Sequence, residues 1–103
     1  MVIRVAELGR PAFQLRKGEE RLSVFLLGAV DPPLDEAEVL GSFRQGSFAV
    51  IRSIAEIEGK GLRVVSDPGP ESLPARLQSS HAVILPGPEM TRSVFKQALK
   101  ELE

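Results

Sequence analysis

The chain has 103 residues, 43% apolar and 26% charged, the composition of an ordinary folded domain, with room for one core and none for a separate site domain. Thirteen basic against fourteen acidic side chains leave a formal charge of -1, so no global field draws the chain onto nucleic acid or an anionic membrane. Cysteine is absent, which excludes disulfides, thiolate nucleophiles and cysteine-built zinc sites and fits the cytoplasm.

Charge appears by Arg4, and no apolar run nears the ~18 residues of a membrane helix, so neither a signal peptide nor a membrane span is expected. Arginine outnumbers lysine nine to four and there are eight prolines, a balance compatible with a heat-adapted source.

Residues 2–7 are β-branched and stop at Leu8-Gly9-Arg10-Pro11, which reads as a first strand. Phe13, Leu15, Leu22, Val24 and Leu26 then alternate on either side of Arg16-Lys17-Gly18-Glu19-Glu20, the pattern of a hairpin with a charged turn. Phe25-Leu26-Leu27 is apolar on both parities, as a central strand covered on both faces would be. Asp31-Pro32-Pro33 ends that strand, and Asp35 with Glu38 has capping-box spacing, so a helix is predicted to begin near Asp35.

The block from 47 to 58 supports two patterns. Val50, Ile51, Ile54 and Ile57 fall at helical spacing, and helix is the reading adopted; Phe48, Val50 and Ile54 with Gly59-Lys60-Gly61 also suit a second hairpin across 48–66. Strands follow at 62–66 and 81–85, joined by a short helix that Pro74 delays. Their connection is just long enough for a parallel crossover. The last segment, 88–103, is an amphipathic helix with Val94, Phe95, Ala98, Leu99 and Leu102 on one face.

One tetrapeptide occurs twice, Pro68-Gly69-Pro70-Glu71 and Pro86-Gly87-Pro88-Glu89, each between a strand and a helix. Pro-Gly suits a type II turn, and a proline followed by glutamate suits a helix start. If the two strands run parallel, the two joints lie side by side where open α/β sheets hold ligands. Asp67, Gly69, Glu71, His81, Gly87 and Glu89 are then the candidate ligand-binding residues. The prolines remove N–H donors and the glutamates add negative charge, so phosphate is disfavoured there.

Other motifs carry less. Gly41 to Gly46 has phosphate-loop glycine spacing without its lysine, and His81, the single histidine, has no carboxylate one helical turn away to make a metal pair. No catalytic residue, metal site or cofactor is therefore assigned. Arg10, Arg16, Lys17 and Arg21 make the hairpin end basic, but only Phe13 is interleaved with them for base stacking, which favours a solvated edge over a nucleic-acid platform.

The expected fold is a single α/β sandwich with a mixed sheet over residues 1–103, ordered βββαβαβα, with an antiparallel N-terminal hairpin and a C-terminal βαβα unit; the hairpin alternative across 48–66 makes it α+β. The leading functional expectation is a non-catalytic, self-associating interaction module using a sheet edge or the apolar surplus of Phe43, Phe48 and their neighbours. Its competitors are a small-ligand or nucleotide-binding domain at the two Pro-Gly-Pro-Glu joints and a nucleic-acid binder using the basic hairpin.

Overall fold

Successive residues on a strand point to opposite faces, and here both faces are covered. In β1 (Val2–Glu7), Val2 and Ile3 are both buried, and they belong to two different apolar clusters. The computed structural model describes residues 1–103 and arranges β1, β2 (Leu22–Leu26), β3 (Ser47–Arg52), β4 (Arg63–Ser66) and β5 (His81–Leu85) in one sheet. The strand order is β3-β1-β2-β5-β4 and every neighbouring pair is antiparallel.

Leu22, Val24, Ala82 and Ile84 face α2 (Ile54–Glu58) and α4 (Arg92–Lys100), which supply Ile57, Phe95 and Leu99. Ile3 and Phe25 face α1 (Glu36–Leu40) and α3 (Ala75–Ser80), which supply Val39 and Leu77. The chain is thus a mixed α/β domain with β2 central and covered on both faces. No helix is long and apolar enough to cross a membrane.

Caps decide where the helices start. The Asp35 carboxylate accepts the Glu38 N–H at 2.8 Å, as its spacing predicts. Glu38 does not close the capping box; its carboxylate takes Arg76 of α3 in a two-pronged pair at 2.7 and 3.2 Å, clamping α1 to α3. A complete capping box lies instead at Ser53, whose hydroxyl accepts the Glu56 N–H while the Glu56 carboxylate accepts the Ser53 N–H.

That box corrects the reading of residues 47–58 as one helix. The apolar spacing straddles a boundary: Ser47–Arg52 is strand, Ser53 is the cap, and the helix is only Ile54–Glu58. The strand supplies β1 with a partner along its whole length, from Val2 opposite Arg52 to Glu7 opposite Ser47. The hairpin alternative across 48–66 does not form either, because β3 and β4 lie at opposite edges of the sheet.

Two further expectations are corrected. Phe13 and Leu15 are buried but form no strand, so β1, not 13–15, is the antiparallel partner of β2. The segment is held by the Glu103 carboxylate, which accepts the Ala12 and Phe13 N–H groups.

The β4–β5 connection is not a parallel crossover, so the sheet is wholly antiparallel and not mixed. Ser66 lies opposite Ala82, so residues 67–80 leave and re-enter the sheet at one end. A six-residue α3 is only ~9 Å long, and it runs directly into His81. The Gly69 N–H, bonded to the Gln78 carbonyl at 3.0 Å, closes the excursion.

Candidate functional site

The two Pro-Gly-Pro-Glu joints separate once β4 and β5 are antiparallel. The first follows β4 at the end where β5 begins, and the second follows β5 at the other end of the pair. Neither copy opens a helix directly. Leu73 turns back onto the Pro70 carbonyl before α3 starts at Ala75, and Met90 onto the Gly87 carbonyl before Thr91 caps α4.

Asp67, Gly69 and His81 do come together. The His81 Nδ1 bonds the Asp67 carbonyl, while the Asp67 carboxylate stands 4.0 Å from it. A β-carbon on Gly69 would meet Leu73 and the β-carbon of His81. Glu71 is exposed. Gly87 is buried against the Gly61 carbonyl, and Glu89 is exposed at that far end. The six residues therefore do not share one cradle.

A different site lies where β1 leaves β2. These strands pair only at Val2 with Leu26 and Ile3 with Phe25, while β1 stays paired with β3 to Glu7. Arg4 fills the gap. Its Nε donates to the Ala12 carbonyl at 2.8 Å and one terminal nitrogen to the Ser23 carbonyl at 3.0 Å. A guanidinium suits this task because its donors form a rigid fork that can satisfy two separated carbonyls at once.

Burial holds the Arg4 pKa below the ordinary arginine value, against the partial compensation of Glu19. No carboxylate pairs with this half-buried cation. It forms one wall of a pocket of about 370 Å³ whose other cationic walls are Arg10, Arg16 and Arg44. Glu7 is shared between Arg10 at 3.9 Å and Arg16 at 3.7 Å. These are long, half-exposed pairs of the kind that contribute little to stability.

Arg4, Val5 and Phe43 also border a second depression of about 240 Å³ on the α1/α3 face, with Phe25, Leu73 and His81. The rings form an edge-to-face array: Phe43 on Phe25 at 5.9 Å, and Phe25 on His81 at 5.5 Å. Comparison with known proteins finds no matching family model, no similar curated protein and no similar solved structure.

Of the basic residues singled out in the sequence, Arg10 and Arg16 line the arginine pocket; Lys17 and Arg21 do not. Arg21 borders a separate hollow with Arg63 and Pro86. Sequence reading missed Arg4 and Arg44, and offered Phe43 only as apolar surface for association. A lone arginine inside Val-Ile-Arg-Val-Ala was the available signal, since a charge at a strand position between two core residues needs a partner. No group of three or more His, Cys, Asp or Glu side chains is placed to hold a metal ion.

Proposed function

We propose that this chain is a non-catalytic binding module whose arginine pocket takes an anionic group of its partner. One observation carries the reading: Arg4 is a partly buried cation fixed by two backbone carbonyls, with no carboxylate against it, in a pocket shared with three more arginines. A desolvated, pre-positioned guanidinium binds an anion more strongly than a mobile surface one, because less ordering is lost on binding.

Inorganic phosphate titrated into the labelled protein and followed by amide NMR is the direct test. The expected result is shifts confined to the surroundings of Arg4, Arg10, Arg16 and Arg44 at millimolar phosphate, weakening as salt rises. Shifts spread evenly over all arginines would remove the reading.

A second reading is self-association, since β3 and β4 leave two open edges on the sheet. The β4 edge is short and carries Val65, 41% exposed. Light scattering after gel filtration decides it, and a strict monomer at high protein concentration excludes it. A cysteine-free chain of this composition suits work of either kind in the cytoplasm.

A further inference from the structure

The arginine pocket and the aromatic slot have three residues in common, and their chemistry is complementary. We infer that together they take a nucleotide unit, with the phosphate among Arg10, Arg16 and Arg44 and the base in the slot beside Phe43 and His81. The inference rests on the reading of the arginine pocket as an anion site.

Four properties of the site match that ligand. Four arginines against Glu7 and Glu19 leave a local excess of two positive charges, suited to a phosphomonoester of about -1.5 to -2. The pocket and slot, about 370 and 240 Å³, make up a site in the ~300–1,000 Å³ class of small-molecule sites. Phe43 is 37% exposed beside the arginines and so offers ring surface for stacking.

The fourth property is polar. A base edge presents donors and acceptors, and the slot has polar groups of both kinds. Ser23 lies exposed on its wall and brings a hydroxyl that can donate or accept. His81 uses Nδ1 on the Asp67 carbonyl, so in the neutral ring Nδ1 carries the proton and Nε2 is an acceptor. An aromatic carboxylate would supply one negative charge and leave these groups unmatched.

The test is calorimetric titration of the full chain at low salt with inorganic phosphate, ribose 5-phosphate and the four ribonucleoside monophosphates. At least one monophosphate is expected to bind about tenfold more tightly than ribose 5-phosphate, the size of one base-stacking contact. Phe43→Ala should abolish that advantage, bringing the best nucleotide down to the affinity of ribose 5-phosphate measured in the same variant, with circular dichroism confirming the fold.

Equal affinity for ribose 5-phosphate and every nucleotide overturns the base slot and leaves the anion site standing. Failure of all the compounds, phosphate included, overturns both. Two tetranucleotides, with a 5′-phosphate and with a 5′-hydroxyl, identify the source of the unit. Tighter binding of the phosphorylated one than of any mononucleotide assigns a strand end, and weaker binding assigns a free nucleotide.

Discussion

Gly87→Ala lowers the stability of the fold by about 1–3 kcal/mol, the cost of overpacking a filled site. A β-carbon at Gly87 would lie 2.5 Å from the Gly61 carbonyl oxygen, well inside van der Waals contact, and that oxygen belongs to the backbone. Gly61 cannot swing freely away, because it holds a left-handed φ of 82° at the turn into β4. Removing a glycine also restricts the unfolded chain and so stabilises by about 0.4–1 kcal/mol. The clash is the larger effect.

The comparison that makes this a test is Gly69→Ala, the matching position of the other tetrapeptide. There the nearest atoms are the Leu73 Cδ1 at 3.0 Å and the His81 β-carbon at 3.2 Å. A leucine methyl can rotate aside, so the loss should be smaller. Glu89→Gln, at an exposed residue, should stay within about 0.5 kcal/mol of the parent. Urea unfolding of the three variants checks the order. Equal stability of Gly87→Ala and Glu89→Gln would show that the tetrapeptide glycine is not there for packing.

What the sequence made legible was local. Asp35 as a cap, the apolar stripe of Phe95, Ala98, Leu99 and Leu102, and the two-sided burial of β2 each follow from spacing within a dozen residues. Pairing partners were not legible. Val50, Ile51, Ile54 and Ile57 satisfy a helical period across the Ser53 cap, and only the open edge of β1 makes the first half a strand. The direction of β5 relative to β4 depends on how far residues 67–80 can travel, and Pro74, by shortening α3, keeps them at one end of the sheet.

The site was legible in part for the same reason. Arg10 and Arg16 are conspicuous as a basic cluster, and they do reach the pocket. Phe43 and Arg44 come from a turn nearly thirty residues further on, brought there because α1 returns the chain to β3 beside β1. Arg4 becomes meaningful only when β1 and β2 part. A splayed antiparallel pair leaves carbonyls without ladder partners, and a side-chain donor must replace them.

Arg4→Met is accordingly expected to cost about 1–3 kcal/mol of stability, the penalty for leaving buried or half-buried carbonyls without donors. Its two acceptors, Ala12 and Ser23, belong to the tied-down 12–15 segment and to β2, so the loss should loosen both. Relief of the desolvation that depresses the Arg4 pKa offsets part of this cost, which is why the figure stays below two full unsatisfied groups. Methionine keeps the apolar stem, so the change isolates the guanidinium. Arg4→Lys retains charge but has no fork, and one ammonium does not replace donors aimed at two carbonyls; it should fall between parent and methionine in stability. Phosphate affinity should drop in both, further in methionine, whereas Arg44→Gln, at an exposed position, should weaken phosphate without moving the melting temperature. Amide exchange at Ala12 and Phe13 reports the loosening. An Arg4→Met protein as stable as the parent, with unchanged phosphate shifts, would mean that the guanidinium neither ties β1 to β2 nor serves the pocket.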